Sequence, residues 1–368
     1  MKISLAIPVF GQENFLPSAM DSILLQQDNV KLAVMDATSN DSVQEVLNRY
    51  TDLLSYHRHG PDAGQTAAIQ EGWDNVDGDV VAWLCADDYY FPDTIKVVKK
   101  IFLEHPEIDV VYGDSVFVDE TNRFLGYFPA INQDISAITK ECCICQPSCF
   151  VRREAFDKIG GRLNENLHYI MDWDLWTRLY QSGAKFYYVN KPLSVVRMYK
   201  GTKTSSRSWR RFFEISRHLF LNTTPQKALR SMVGFYLQDL LNNHPKGFER
   251  IIFKFYELYQ SHNNTNLILG DSNSLFNYGF SNKNNVVSPQ IDIYLPWYDV
   301  SLPTKVLVNC DLDTAPTAYL NGRQLLVDEG TNYLYPLPGG DNSTHILHLQ
   351  LTSTVDSLWH LYDVKFIN

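Results

Sequence analysis

The sequence predicts an α/β fold, a mostly parallel sheet between helices, followed by a helical segment and a C-terminal β-sandwich. Up to about residue 115, apolar runs rich in β-branched residues alternate with amphipathic stretches, which is typical of parallel strands joined by helices. Residues 208–222 and 226–262 follow a helical pattern, interrupted near His244-Pro245. After Ser261, turns rich in Asn, Ser, Pro and Gly separate short alternating strands, which indicates a sandwich of about 100 residues.

Each predicted strand of the first half is an apolar run, and turn or cap residues separate it from the next helix. Asp36-Ala-Thr-Ser-Asn-Asp-Ser42, for example, is a cap cluster between the second strand and the second helix. The strands are predicted at 3–10, 31–36, 54–58, 79–85, 109–112 and 185–189, with a hairpin of 116–119 and 124–128. The helices are predicted at 13–27, 41–52, 64–75, 93–104, 153–159 and 172–182.

In the last third of the chain, short runs of alternating apolar and polar residues predict strands. Asn321-Gly322 is the pair that favours a tight hairpin turn between two of them. The strands are predicted at 291–295, 305–308, 318–320, 346–351 and 364–367.

The composition limits the partners of the chain. Its 368 residues are 45% hydrophobic and 20% charged, as in a soluble globular protein of two or three domains. The net charge of −10 argues against nucleic acid as a partner, so an anionic substrate needs a metal ion or a local basic patch. Since the sequence carries neither a signal-like N-terminus nor an apolar run of the ~20 residues of a membrane span, the expected location is the cytoplasm.

Two adjacent carboxylates, Asp87 and Asp88, follow the strand predicted at 79–85. Open α/β sheets bind ligands at the carboxyl ends of their strands. Each of two neighbouring carboxylates disfavours ionisation of the other, and a hard divalent cation shared with substrate phosphates resolves this conflict. The pair therefore predicts a metal and phosphate site, with capping of the helix from Asp93 as the alternative role.

Five short signatures follow one another along the chain. They are Ile7-Pro-Val-Phe10, Asp36, Gly60-Pro-Asp-Ala-Gly-Gln-Thr-Ala-Ala-Ile-Gln-Glu-Gly72, Ala86-Asp-Asp-Tyr-Tyr-Phe-Pro92 and Met171-Asp-Trp-Asp-Leu-Trp-Thr-Arg178. Over residues 1 to about 205 this set resembles family 2 of the GT-A glycosyltransferases. The resemblance implies the GT-A nucleotide-diphospho-sugar transferase fold. It also implies inverting transfer of a sugar from a nucleotide-diphosphate donor, with a UDP-sugar favoured, to a hydroxyl of a glycan or lipid-linked oligosaccharide.

The resemblance also implies roles for single residues. Asp88 would hold Mn²⁺ or Mg²⁺ against the leaving diphosphate, and Asp172 would be the general base. The residues expected at the nucleotide sugar are Pro8, Phe10, Asp36, Asp62, Gly64, Gln65 and Asp87. Two plain alternatives stay open, namely Asp36 as a cap of the helix near Asp41 and Asp62-Ala-Gly64 as an ordinary loop.

The chain departs from the family pattern at two places. Cys85-Ala86 stands where the family commonly has Asn, Ser or Asp, and Tyr199 stands where many members have a histidine. A third protein ligand to the metal is therefore not implied. Lys200, Lys203 and Arg207 are expected either to supply positive charge to the diphosphate or to be solvated surface charges. The residues assigned to the acceptor or the diphosphate are Gln146, Trp173, Asp174, Arg197, Tyr199 and Lys203.

The expected domains are a catalytic domain at 1–207, a helical extension at 208–262 and an accessory sandwich at 263–368, for glycan binding or homo-oligomerisation. The helix at 209–220 carries aromatic residues on one side and arginines elsewhere. Packing on the catalytic domain is the expected role of this helix, and peripheral contact with the inner face of an anionic membrane is the alternative. A non-catalytic glycan-binding protein and a nucleotidyltransferase on a similar sheet are the rival functions.

Overall fold

A computed structural model describes residues 1–26, 28–120, 124–128, 135–199, 201–203 and 208–243 of the chain. From residue 276 on it describes residues 276–281, 286–296, 305–310, 312, 315–320, 323–327, 334–336, 346–352 and 359–367. The chain divides into two compact units. One comprises Met1–Ser115 and Phe128–Leu269, and the other comprises Val116–Tyr127 and Gly270–Asn368.

A nine-stranded sheet lies at the centre of the fold of the first half. Its strands are β1 (Ile3–Val9), β2 (Val30–Asp36), β3 (Leu54–His59), β4 (Val80–Trp83), β5 (Tyr89–Tyr90), β6 (Val110–Val118), β7 (Phe124–Phe128), β8 (Cys149–Arg152) and β9 (Phe186–Arg197). The order is β3-β2-β1-β4-β8-β6-β9-β5, and β7 pairs with β6 as the predicted hairpin requires. The pairs β1–β2, β1–β4 and β2–β3 are parallel, which confirms the predicted parallel core of the sheet.

The strand β8 was not predicted, and it changes the direction of the sheet. It lies between β4 and β6 and is antiparallel to both. The sheet is therefore mixed: its strands β1 to β4 are parallel, and β8 runs antiparallel to both of its neighbours. Cys149–Arg152 is a four-residue run directly before a helix, too short for sequence periodicity to distinguish from a loop.

Eight helices connect or follow these strands. They are α1 (Leu16–Leu24), α2 (Ser42–Leu47), α3 (Gln65–Asn75), α4 (Thr94–Glu104), α5 (Arg153–Lys158), α6 (Met171–Gln181), α7 (Trp209–Asn222) and α8 (Pro225–Asn243). All overlap predicted helices, although the second part of the long helix predicted at 226–262 lies outside the described residues. No helix within the described ranges combines the length and the apolar character that crossing a membrane requires.

The two faces of the sheet are buried in two separate cores. Alternate residues of one strand point to opposite faces, so Leu5 and Ile7 join one core while Ala6 joins the other. On β4, Ala82 belongs to the first core and Trp83 to the second. Residues of α1, α2 and α4 fill the first core and residues of α3, α5 and α6 fill the second. Because helices cover both faces of the sheet, a ligand can reach it only at the ends of the strands.

The second unit contains a sheet of eight short strands. These are β10 (Phe276–Ser281), β11 (Val286–Pro296), β12 (Lys305–Cys310), β13 (Thr317–Leu320), β14 (Arg323–Leu325), β15 (Leu334–Pro336), β16 (Ile346–Thr352) and β17 (Trp359–Ile367). Their order is β14-β13-β16-β11-β17-β12-β15, with β10 beside β11, and the pairings are antiparallel. All five predicted strands overlap these elements. The turn at Asn321-Gly322 lies outside the described residues, and a two-layered sandwich stays a prediction.

Candidate functional site

Three parallel strands, β1, β2 and β4, end at the same edge of the sheet. Pro8 is buried within β1 beside Met35 of β2, whereas Phe10, just beyond β1, is 75% exposed. The loops after β1 and β2 are tied together, because the Gly11 amide donates to the Thr38 hydroxyl at 2.9 Å. Pro8 and Phe10, which the sequence predicts at the nucleotide sugar, thus lie at this edge, and the Phe10 side chain is accessible there.

Asp36 ends β2 with a fully buried carboxylate. One oxygen accepts the Thr38 amide at 2.8 Å, and the other lies 2.7 Å from Nδ1 of His59, the last residue of β3. Helix α2 begins at Ser42, so Asp36 is bonded to its own loop and to β3 rather than capping that helix. His59 was missed by sequence reasoning, although its position at the end of the neighbouring strand was a usable signal.

The Asp62-Ala-Gly-Gln65 turn leads into α3. The Asp62 carboxylate accepts the Gly64 amide at 2.8 Å and lies 3.4 Å from Arg58, which also contacts Glu71. Gly64 has φ +110°, a conformation that side-chain-bearing residues rarely adopt. The Gln65 side chain then reaches inward, donating to the Cys85 sulfur at 3.4 Å and accepting from Lys203 Nζ at 2.7 Å. The turn therefore carries polar groups toward the end of β4.

Asp87 and Asp88 follow β4 and are 9% and 5% exposed. One ligand atom from each of Cys85, Asp87 and Asp88 can be chosen so that all three lie within 4.8 Å of one another. Burial raises the pKa of Asp87, and burial together with the neighbouring Asp87 raises the pKa of Asp88 well above its usual range. The two carboxylates therefore disfavour each other's ionisation, as the sequence predicted.

Two residues at and beyond the end of β9 fasten the carboxylate pair. The Arg197 amide donates to Asp88 Oδ1 at 3.0 Å, and the Arg197 guanidinium donates to the Asp87 carbonyl at 2.9 Å. The Tyr199 hydroxyl donates to Asp87 Oδ2 at 3.0 Å. Burial and Asp87 raise the pKa of Tyr199 to about 12, so the phenol keeps its proton. Tyr199, which stands where the resemblance implied a histidine, thus orients a carboxylate.

A divalent cation, which the predicted fold family implies, fits the donor atoms of this cluster. An ionised carboxylate has about four lone-pair sites, so Asp87 and Asp88 can bind a cation in addition to the bonds from Tyr199 and Arg197, and hard cations prefer carboxylate oxygens. The raised pKa of the pair is the sign of an electrostatic conflict that a cation removes. Cys85 is a softer ligand with a thiol that burial keeps protonated, so it suits a hard cation poorly.

Asp172 lies in the first turn of α6, and its carboxylate accepts the Trp173 amide at 2.7 Å. Burial raises the pKa of Asp172 to about 6, although backbone amides and the charge of Lys203 oppose this rise. Lys203 donates to Gln65 and lies 3.4 Å from the His168 carbonyl, and burial lowers its pKa. A carboxylate with a pKa near neutrality is suited to accepting a proton from a hydroxyl nucleophile.

The other acceptor-side candidates of α6 are engaged in the fold. Trp173 is buried, donates from its indole to the Ile138 carbonyl and packs on His218. Asp174 makes an ion pair with Arg178 one turn later at 2.8 Å. Both residues therefore anchor α6, and Asp172 is the carboxylate of this turn that points toward the charged groups near β4.

Gln146 reaches the end of β4 from the other side. Its amide donates to the Trp83 carbonyl at 2.6 Å, and its oxygen lies 3.6 Å from the Cys85 sulfur. Gln12 is a further residue that sequence reasoning missed, since its side chain hydrogen-bonds to both Asp87 and Tyr199. Lys200 and Arg207 lie outside the described residues.

The Cys85 thiol shows how closely these groups converge. Its pKa is raised well above the usual value by burial, then by Asp88 and Asp87 and to a lesser extent by Asp172, while Lys203 acts in the opposite direction. Charges from β4, α6 and the segment after β9 thus all lie within electrostatic range of one atom. The result is a compact acidic site with a single lysine at its side in the described part of the chain.

Comparisons with known proteins find glycosyltransferases among the relatives of the chain. Residues 4–160 match the sequence profile described as Glycosyl transferase family 2. A PGL/p-HBAD biosynthesis glycosyltransferase of Mycobacterium bovis is 31% identical over 189 residues, which cover 49% of the chain and 70% of that relative. An uncharacterised glycosyltransferase of Rickettsia typhi is 28% identical over 200 residues, or 50% of the chain and 60% of the relative. The chain thus spans less than two thirds of the Rickettsia protein.

Solved structures share the fold, and S. aureus TarS 1-349 in complex with UDP-GlcNAc is one of them. It superposes with a TM-score of 0.50 at 15% identity, covering 67% of the chain and 75% of TarS 1-349. At this identity the likeness concerns the fold alone. It confirms the predicted GT-A type of α/β fold.

Proposed function

Because the chain belongs to glycosyl transferase family 2, we propose that it transfers a sugar from a nucleotide-diphosphate donor to a hydroxyl group of a glycan or lipid-linked acceptor. The cluster of Cys85, Asp87 and Asp88, whose ligand atoms lie within 4.8 Å of one another, carries this proposal, together with Gln65, which bonds both Cys85 and Lys203. In this proposal, Asp87 and Asp88 serve the cation, Asp172 serves the proton, and the Lys203 ammonium group lies beside them. UDP-linked sugars are the first donors to test, because TarS was solved with UDP-GlcNAc.

On the donor side, the proposal gives Asp36, Asp62 and Asp87 the task of positioning the nucleotide sugar, with Gln65 and Pro8 at the same edge. Asp88, supported by Asp87, would hold Mn²⁺ or Mg²⁺. When bound there, such a cation neutralises charge on the departing diphosphate. Arg197 and Tyr199 keep both carboxylates oriented through the hydrogen bonds described above. Lys203, 2.7 Å from Gln65, adds positive charge beside the diphosphate.

On the acceptor side, Asp172 accepts the proton of the attacking hydroxyl. Attack opposite the departing diphosphate inverts the anomeric centre and needs one base on that face. The bond between the acceptor oxygen and the sugar forms as the bond between the sugar and the diphosphate breaks. Because the Asp172 carboxylate is desolvated and yet bonded to the Trp173 amide, it is held in place with a raised proton affinity.

The assignment of domains is part of the same proposal. Residues 1–207 would form the catalytic domain that binds donor and acceptor. Residues 208–262 would form a helical extension of this domain, and residues 263–368 an accessory domain for glycan binding or oligomerisation. The two compact units divide the chain by its contacts, and the role of each domain is a matter for experiment.

A donor panel tests the proposed reaction. The full chain is incubated with UDP- and GDP-linked sugars and Mn²⁺, and released nucleotide diphosphate is measured. Asp172→Asn should lower transfer by at least about 100-fold with donor affinity unchanged. The asparagine side-chain oxygen can still accept the hydrogen bond from the Trp173 N–H, but it cannot take the proton of the acceptor hydroxyl. Asp174→Asn is the matched control on the same helical turn and should remain active. No turnover with any donor, together with glycan binding that survives Asp88→Ala, would instead identify a non-catalytic glycan-binding protein.

A further inference from the structure

Helix α7 presents an uncovered row of aromatic side chains in the described part of the chain. Trp209, Phe213 and Phe220 are 77%, 65% and 50% exposed. At 100° per residue these three positions lie within about 40° of one another around the helix. Single exposed apolar residues are ordinary, but here three large aromatic side chains are exposed along one helical face over about three turns.

The opposite face of α7 fixes this orientation. His218 and Leu219 are buried, and His218 bonds the Thr177 hydroxyl of α6 at 3.1 Å and packs on the Trp173 ring. Burial lowers the pKa of His218 to about 4, so it is neutral in this contact near pH 7. Since the inner face is committed to α6, the aromatic face cannot turn inward without breaking this packing.

The charge of α7 is opposite to that of the whole chain. The helix carries three arginines and one glutamate, whereas the chain has a net charge of −10. Arg217 is exposed and lies about 80° from Trp209 around the helix, at the border of the aromatic face. Aromatic side chains beside arginines on an outward helix face are typical of helices that lie in the headgroup region of anionic bilayers.

We infer that α7 docks the protein onto an anionic lipid surface. Trp209, Phe213 and Phe220 enter the interfacial region, and Arg217 lies against the lipid phosphates. A second copy of the chain fits this face less well, because its α7 would offer the exposed Arg217 no free acidic partner: the one glutamate of the helix, Glu214, is bonded to Arg210 and to loop amides. Interfacial Trp and Phe with flanking Arg instead match a surface that is apolar and negatively charged at once.

Glu214 connects α7 to the segment that precedes α6. Its carboxylate accepts the amides of His168 at 3.1 Å and Tyr169 at 2.8 Å, and Arg210 pairs with it at 3.0 Å. These residues directly precede α6, whose first turn holds Asp172. If the proposed function holds, docking brings the segment next to the base to the lipid surface, which suits a lipid-linked acceptor. The docking itself does not depend on that function.

Flotation with vesicles tests the docking. The full chain is mixed with vesicles of phosphatidylcholine alone or with about one quarter phosphatidylglycerol, in low and high salt. We expect binding to the anionic vesicles, weaker binding in high salt and little binding to neutral vesicles. The triple variant Trp209→Ser, Phe213→Ser, Phe220→Ser should lose binding more than about tenfold, and Arg217→Gln should lose part of it.

Helix α4 supplies the matched controls. Leu103 is 64% exposed there and Lys96 is exposed, so Leu103→Ser and Lys96→Gln remove the same kinds of group from another surface. Both controls should bind vesicles like the unchanged protein. A protein that stays unbound with both kinds of vesicle, or a triple variant that floats normally, would overturn the inference. A dimer in light scattering that the triple variant converts to a monomer would assign this face to a second copy. Since flotation needs no donor, failure of docking is separable from failure of the proposed reaction.

Discussion

The pH dependence of transfer should report the environment of Asp172, and Lys203 offers a way to move it. Burial raises the pKa of Asp172 from the usual 3.8 to about 6, and the positive charge of Lys203 works against this rise. Lys203→Met removes that charge, so the Asp172 pKa should rise further. The base must be ionised to accept a proton, and the acid side of the rate profile should therefore shift to higher pH.

The size of the effect follows from the pKa. With a value of about 6, about nine tenths of Asp172 is ionised at pH 7 and about one tenth at pH 5, so kcat/KM should fall about tenfold between them. In Lys203→Met the fall should begin at a higher pH and be steeper between pH 7 and pH 6. Lys203→Arg keeps the charge and is the matched control.

The assay is initial-rate transfer from pH 5 to pH 8 at low acceptor concentration, followed by release of nucleotide diphosphate. The diphosphate of the donor is esterified at both ends and stays fully ionised over this range, so the difference between the Met and Arg variants isolates the effect of the charge on the base. An acid limb that is unchanged in Lys203→Met, or that moves to lower pH, would refute the role of Asp172 as the base in this environment.

Three further perturbations follow from single contacts. Tyr199→Phe removes the hydroxyl that holds Asp87 and should weaken donor binding in the presence of Mn²⁺ about fivefold in calorimetry, whereas equal affinity would mean that this bond does not orient the site. Glu214→Ala leaves two loop amides without their acceptor. It should lower the free energy of unfolding in urea by about 1–3 kcal/mol and should also lower kcat. The control Glu154→Ala, at an exposed residue, should lower the free energy of unfolding by less than about 0.5 kcal/mol. His218, neutral in the fold with a pKa of about 4, should make the protein about 2 kcal/mol less stable at pH 5 than at pH 7, because the unfolded histidine takes up a proton below about pH 6.5. His218→Gln should remove most of that loss, and an unchanged pH dependence would contradict the account.

Much of the catalytic fold could be predicted because its signals are local. The runs that became β1, β2, β3 and β4 are apolar and bounded by turn residues, and the carboxylates at their ends follow directly. Asp36, Asp62, Asp87 and Asp88 therefore came to one edge as expected for parallel strands. The antiparallel β8 was missed because a four-residue strand carries almost no periodicity.

The contacts that hold the site together were less predictable, since they join distant parts of the chain. The strand predicted at 185–189 extends to Arg197, and this extension is what brings Arg197 against Asp88. His59 beside Asp36, and Gln12 beside Asp87, have no local signature at all. Burial of Trp173 likewise depends on α7 and on the Ile138 carbonyl, which sequence spacing along α6 could not reveal.

In the proposed reaction, the carboxylates beyond β4 hold a cation against a nucleotide diphosphate. The most direct measurement is calorimetric titration of UDP and GDP into the full chain with and without Mn²⁺, using the unchanged protein, Asp88→Asn and the exposed-site control Asp77→Asn. We expect one nucleotide to bind in the presence of Mn²⁺, Asp88→Asn to abolish the Mn²⁺-dependent part of this binding, and Asp77→Asn to leave it unchanged. Nucleotide binding by the unchanged protein that is indifferent to Mn²⁺, or Asp88→Asn binding as tightly as the unchanged protein, would contradict this role of the carboxylates.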